Sequence, residues 1–407
     1  MVTQDLSKVT PKILAAGLMS LRELAIMPRL VNTSYGVEAS ARGRTIDVPL
    51  PSAITGQDVS PGATSQSPFA DGSAPTTVPI TMTNWKAAPF YMTDQDLLEA
   101  MNGVVPMQAS AAIRWLINQI DVSIINAIFK GTYNFMGSPT YVGFDPTQQY
   151  GSTTVQKTKD ATDLRLLLNK GLSPFDGRMA VVTPDVEANA LQLRAFQDQS
   201  WSGSMDALID GSLNRKLGFQ WFMDQNIPAF TAGTLTGTIS VSGTAAIGAT
   251  TVTVATDAAE AVVLNPGDLI KFSTENPPYV VTSAINIGAS TTGSFTLAPP
   301  LRVAATGGTV TLATKDSLGG TVSFSNAAVY YNSMAFHRDA IAFASRPFEP
   351  VPPGLGVLVD QAVDSISGVA LRLEVKREHY RTRFSYDALW GVGLIRPELC
   401  ARLVTIA

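Results

Sequence analysis

His337, His379 and Cys400 are the only imidazoles and the only thiol in this chain, so imidazole- or thiol-based metal and nucleophilic chemistry must be sought around them. One cysteine excludes an intrachain disulfide and a cysteine-based zinc site, and two histidines cannot by themselves build a metal cluster. His337 precedes Arg338-Asp339 in a strand-like run. It could serve a serine nucleophile, but a hydrogen-bonded structural histidine is the favoured reading. His379 lies among Lys376, Arg377, Glu378 and Arg381, where mutual charge compensation is expected. The carboxylate pairs Asp94/Asp96 and Asp360/Asp364 could be drawn as acid and base. Acid–base work needs environments that push the two pKa values apart, and helix capping already explains the first pair. No phosphate loop, dinucleotide fingerprint or Gly-x-Ser-x-Gly elbow occurs. No catalytic, cofactor-binding or metal-binding residue is therefore expected, and the chain is read as a non-enzyme.

Other charged groups read as structural. The run Arg372, Lys376, Arg377, Arg381, Arg383 could contact nucleic acid, but Glu374, Glu378 and Asp387 interleave with it and favour an ion-pair network. A net charge of -4 argues against a protein whose task is to grip nucleic acid. Asn32-Thr33-Ser34 is a glycosylation sequon, expected to be idle without a secretory signal. Cys400 sits in an apolar tail and reads as a core thiol. The apolar patch Ile13–Met19 is too weak for a signal peptide, and Ala109–Phe129 carries too many polar residues to span a membrane, so a soluble protein made inside a cell is expected.

These residues must be positioned by a chain of 407 residues, enough for about two or three domains. Charged residues make up 15% of it, against about 25% in ordinary soluble domains. With 45% apolar residues, the simplest account of so poor a charge complement is a surface covered by further copies of the chain.

Thr10-Pro11 starts a helix whose apolar residues Ile13, Leu14, Leu18, Leu21, Leu24 and Ala25 keep helical spacing until Met27-Pro28. Strands are expected at Arg44–Leu50 and Val78–Trp85. Between Pro51 and Pro79, 17 of 29 residues are Pro, Gly, Ser or Thr. The flanking strands favour a two-stranded excursion, mobile until it orders on another subunit. Thr93-Asp94-Gln95-Asp96 caps a short helix through Met101. A long helix follows from about Pro106 to Lys130, and its stripe Ile113, Leu116, Ile117, Ile120, Ile124, Ile125, Ile128, Phe129 predicts packing along a sheet. A helix at Asp160–Leu172, a strand at Arg178–Thr183 and a helix at Pro184–Gln197 read as α/β.

Composition breaks after Phe230. From Thr231 to Ser325, 19 of 95 residues are Thr and eight are charged. Strand-like runs at Gly237–Val241, Thr250–Ala255, Asp268–Ser273, Tyr279–Ser283, Ser294–Leu297 and Thr309–Ala313 predict an inserted small barrel. Downstream, Val369, Leu371, Leu373 and Val375 alternate with polar residues as a strand. Phe384–Trp390 is another, followed by a Gly391-Val392-Gly393 turn and an apolar tail.

This order of parts resembles the major capsid protein of tailed bacteriophages, the Hong Kong 97-type fold, and within it the coat-protein branch of the short-tailed Salmonella phage with its inserted β-barrel. The resemblance is carried by Pro28-Arg29-Leu30-Val31-Asn32, Gly43 to Pro49, Met92 to Leu97, Ile120-Asp121, Gly211 to Phe219, Ala335 to Ala340, Tyr386 to Gly391 and Arg396 to Leu399. It implies an α+β chain: N-terminal arm 1–40, extended loop 41–92, peripheral domain with spine helix 93–150, axial domain 151–230, inserted barrel 231–325, axial return 326–346, peripheral strands 347–385 and axial C-terminal segment 386–407. It further implies hexamers and pentamers forming an icosahedral shell around double-stranded DNA contacted non-specifically. A separate scaffolding protein is implied unless an N-terminal extension has been removed, with a portal protein at one vertex and room for a decoration protein. The location would be the virion, assembled in the host bacterial cytoplasm, with no cofactor and no membrane. An encapsulin-type nanocompartment shell protein and a carbohydrate-active or binding protein using the β-domain are the alternatives. The insert's four aromatics, Phe272, Tyr279, Phe295 and Phe324, are few for a sugar platform.

Overall fold

The computed structural model describes residues 10–34, 45–50, 76–93, 107–145, 158–197, 203, 206–237, 239–257, 260–273, 278–319, 321–322, 324–349, 351–352 and 356–407. Two compact units are present. The first comprises residues 1–19, 33–112 and 342–395, the second 20–32, 113–341 and 396–407.

In the first unit, Thr45–Leu50 pairs antiparallel with Thr76–Thr81, from Thr45 opposite Thr81 to Leu50 opposite Thr76. The excursion between them, residues 51–75, lies outside the described residues, as do Asp94, Asp96 and the short helix expected there. Asn84–Thr93 then joins a five-stranded sheet along one edge of the 14-residue strand Arg381–Leu394. The other edge of that strand pairs with Ala370–Glu378, which in turn pairs with Val357–Val363. Alternation works as expected here: Leu371, Leu373 and Val375 are buried, and Phe90 stacks on Phe384 at 5.2 Å.

One expectation fails. Gly391-Val392-Gly393 is no turn, because the strand runs straight through to Leu394. A β-carbon at Gly391 would lie 2.8 Å from the Thr81 carbonyl oxygen and 3.1 Å from the Met82 backbone. The glycine allows two backbones to approach, a use of glycine that sequence does not distinguish from a turn.

The second unit is built on a seven-stranded mixed sheet. Its main path runs Phe135–Gly137, Cys400–Ile406, Val329–His337, Arg178–Val182, Phe219–Met223, Arg215–Lys216, and Phe230–Thr231 also pairs with Val329–His337. Cys400–Ile406 with Phe135–Gly137, and Arg178–Val182 with Phe219–Met223, are the parallel pairs. One face carries Ala180, Val182, Ala335, Leu403, Phe219 and Trp221, packed with Leu164 and Leu168 of the helix Lys159–Lys170 and Val186 of the helix Pro184–Leu191. The helix expected to run from Pro184 to Gln197 breaks into Pro184–Leu191 and Arg194–Gln197, because Leu193 turns into this core.

The opposite face meets the long helix Met107–Gly131. Arg402 reaches its end, donating to the Phe129 carbonyl at 3.3 Å, and Phe129 packs edge-on against Phe230. The stripe from Ile113 to Phe129 is buried throughout, as its periodicity requires.

Between Phe230 and Val329 the chain forms a closed antiparallel barrel of six strands in the order Ile239–Val241, Thr251–Ala255, Thr292–Ala298, Tyr279–Val281, Leu269–Phe272, Thr309–Leu312. Each of the six matches a run legible in the sequence. The three-stranded sheet Ile285–Ile287, Ala261–Leu264, Thr234–Thr236 was not foreseen. Val252, Val254, Ile270, Phe272, Phe295 and Leu297 fill the interior.

Candidate assembly surfaces

The residues that sequence reading considered for catalysis make local contacts where they lie among the described residues. His337 Nδ1 accepts the Asp339 N–H at 3.2 Å and closes the start of a short 3-10 turn. His379 occupies a two-residue hairpin turn with Tyr380, their rings 5.5 Å apart. Both residues have positive φ, 36° and 62°. Asp360 accepts the N–H of its own neighbour Gln361, while Asp364 accepts the N–H and hydroxyl of Ser367 in a tight turn, so the two carboxylates do separate work. Cys400 is fully buried, and burial pushes its thiol well above the ordinary range. Asn32 donates its side-chain amide to Asp339 at 3.0 Å.

Two members of the basic run, Arg372 and Arg383, form ion pairs. Arg372 grips Asp387 with two bonds, Nε–Oδ1 at 2.9 Å and Nη2–Oδ2 at 2.5 Å, and its guanidinium lies 4.1 Å above the Phe348 ring. Trp85 Nε1 donates to the same carboxylate at 3.0 Å. Arg383 bonds Glu374 at 2.9 Å and Glu378 at 3.1 Å. Arg381 lies 4.2 Å over the Tyr91 ring. The cross-strand register of Ala370–Glu378 and Arg381–Leu394 sets Arg372 opposite Asp387 and Glu378 opposite Arg381, and Arg383 reaches Glu374 on the diagonal. These contacts tie the two strands of the hairpin together.

Exposed apolar side chains were the features sequence reading missed. In the second unit Leu172 is 88% exposed with φ +56°, and Phe175 is 68% exposed. Both stand in the loop that follows the helix Lys159–Lys170, where Arg178 steadies Phe175 from 4.9 Å and Arg215 reaches Asp176 at 3.8 Å. Leu208 and Ile209 are exposed on the same unit. In the first unit Tyr380 projects from the hairpin turn, 78% exposed. A large apolar group held out on a left-handed backbone costs free energy in the isolated chain, which suits a surface covered by something else. Composition pointed to a covered surface; the fold shows which large apolar side chains stand exposed.

No protein-family model matches this chain, and no curated protein matches it. Solved structures do. A structure from Mycobacterium phage Che8 is similar at 13% identity over 93% of this chain and 90% of that one, with a TM-score of 0.48. The capsid of the cyanophage P-SCSP1u is similar at 13% identity, 94% and 88% coverage and a TM-score of 0.47. The virus-like particle from Pyrococcus furiosus gives 10% identity, 97% and 98% coverage and 0.45. Among the described residues no group of three or more His, Cys, Asp or Glu side chains converges, and no helix is long and apolar enough to cross a membrane.

Proposed function

We propose that this chain is the major capsid protein of a tailed bacteriophage, a structural subunit that assembles as hexamers and pentamers into the icosahedral shell around double-stranded DNA. The observation that carries the reading is the order of parts along one chain. A strand pair (Thr45–Leu50 with Thr76–Thr81) precedes the long helix Met107–Gly131; an α/β sheet is interrupted by a closed barrel; and a long charged hairpin (Ala370–Glu378 with Arg381–Leu394) precedes the return of Cys400–Ile406 to that sheet. That is the order the sequence motifs imply. The low charge and the exposed Leu172, Phe175 and Tyr380 fit a subunit whose surface is covered by copies of itself. In this reading residues 41–92 are the extended loop, and the long helix is the spine. Scaffolding and portal proteins are the partners, and the virion is the location. Co-expression with a scaffolding protein and electron microscopy test it: closed shells are expected. Small soluble oligomers alone, with scaffold present, would refute it.

A further inference from the structure

The face of the seven-stranded sheet that meets the long helix carries a row of polar side chains with no evident purpose. Thr183 and Asp224 follow directly on the parallel pair Val182 and Met223, and Asn332 lies two positions beyond the antiparallel pair Met334 and Val181. Two bonds carry the register onward: Thr183 N–H donates to Ser333 Oγ at 3.2 Å, and Asp224 N–H to the Val182 carbonyl at 3.1 Å. Asn332, Thr183 and Asp224 are therefore neighbours across three strands. Side-chain alternation puts all three on the face opposite the Ala180, Val182, Trp221 core.

The helix above supplies Asp121, which interrupts the stripe Ile117, Ile120, Ile124, Ile125. Its Oδ1 accepts the Met27 N–H at 3.2 Å. All four side chains are buried, none more than 2% exposed. Asp121 Oδ2, Asp224 Oδ2, Thr183 Oγ1 and both amide atoms of Asn332 have no hydrogen-bond partner among the described residues. Thr183 is the most telling. It stands at the N-cap of Pro184–Leu191, where its hydroxyl would ordinarily accept a helix N–H, yet it makes no such bond.

The charge is equally unbalanced. Asp121 is acted on by burial, by Asp224, by the N–H groups of Met27 and Ile26 and by Asn226, none of them basic. Burial and Asp224 push its carboxyl up to about 8, and burial raises Asp224 as well. Arg402, on the same face, interacts with Tyr330 and Asp268 and is not among the groups acting on Asp121 or Asp224. Two buried carboxylates with no cation are costly unless something positive joins them.

We infer that Asp121, Asp224 and Thr183, with Asn332 beside them, form a binding site for one hard divalent cation of the calcium or magnesium type. The free acceptor atoms are all oxygen, the donor set such ions take, and no sulfur or imidazole is present to favour a transition metal. Bound there, the ion would tie the long helix to the ends of the two parallel strands.

The test uses the full chain, stripped with EDTA and returned to cation-free buffer. Calorimetric titration with calcium chloride or magnesium chloride should show about one ion per chain, and thermal unfolding should move to higher temperature as the ion is added. Asp224→Asn should weaken the affinity at least about tenfold, and Thr183→Val should weaken it by a smaller factor, while Asp185→Asn on the adjoining helix should leave it unchanged. No heat and no thermal shift in the wild-type chain would overturn the inference, and the wild-type titration decides that even where Asp224→Asn fails to fold. An unchanged response in a folded Asp224→Asn would place the ion elsewhere. A wild-type melting temperature that falls between pH 6 and 9 identically with and without cation would mean that the carboxyls share a proton instead.

Discussion

Asp268 shows how one buried residue joins the inserted barrel to the sheet beneath. Its carboxylate accepts N–H groups from Gly233 at 3.0 and 3.1 Å and from Asn265 at 2.7 Å, while Arg402 donates to the Gly267 carbonyl at 3.0 Å. Burial pushes the acid up to about 6 against the opposing pull of those N–H groups and of Arg402. The folded chain thus holds a proton that the unfolded chain, with an ordinary carboxyl near 4, has released. Stability from this group is fully present below about pH 4 and is lost as pH rises through 6, by about 3 kcal/mol in all. Asp268→Asn cannot titrate, so the stability gap between wild type and variant should shrink in the wild type's disfavour from pH 4 to pH 6.5 in thermal melts. A gap that widens in the wild type's favour would mean that the N–H groups and Arg402 keep the acid ionised. Sequence hints at such residues unevenly. Asp121 was legible as an acid in the middle of an apolar stripe, but Asp224, Thr183 and Asn332 come together only through strand register, which no local pattern reveals.

The elements with strong periodicity were readable in the chain itself. The long helix, the strand Ala370–Glu378 and the six barrel strands are bounded by turn residues and fall within a few positions of where spacing put them. Elements whose character depends on a distant partner were not: Gly391 looks like a turn until Thr81 is seen beside it, and the Pro184–Gln197 helix looks continuous until Leu193 finds its core. The hairpin tip His379-Tyr380 belongs to the second kind. Two-residue turns with positive φ at both positions favour Asn and Gly, and a non-glycine residue in that region costs about 1–2 kcal/mol. Tyr380→Gly should therefore raise the melting temperature of the isolated subunit by the equivalent of about 1 kcal/mol. If the exposed ring is kept for contact with a neighbouring copy, the same variant should assemble less well. A subunit neither stabilised nor impaired in assembly would remove the reason for a tyrosine there.

At the scale of the whole molecule the inserted segment, residues 231–325, is the part most able to stand alone. Its two ends are held together: Phe230 pairs with Tyr330, Thr231 with Val329, and the Ala232 N–H donates to the Ala328 carbonyl at 2.8 Å. Adjacent ends mean that excision leaves no long gap to close, the circumstance in which inserted domains fold by themselves. The barrel also closes on itself, Thr309–Leu312 pairing back to Ile239–Val241, so no strand edge depends on the rest of the chain. Its interior of Val252, Val254, Ile270, Phe272, Val281, Phe295 and Leu297 is contributed by the segment alone. What it shares is its base, where Leu269, Ala313 and Val322 pack with Phe135, Tyr330 and Val404 of the sheet and Asp268 sits beside Arg402. Exposing Leu269 and Val322 forfeits about 1.5–3 kcal/mol each, and Ala313 less, which lowers stability without touching the barrel interior. The excised segment should therefore give a β-type circular dichroism spectrum and a cooperative thermal transition, at a lower temperature than the same segment within the full chain. A random-coil spectrum would show that the base, not the closed barrel, holds the insert folded.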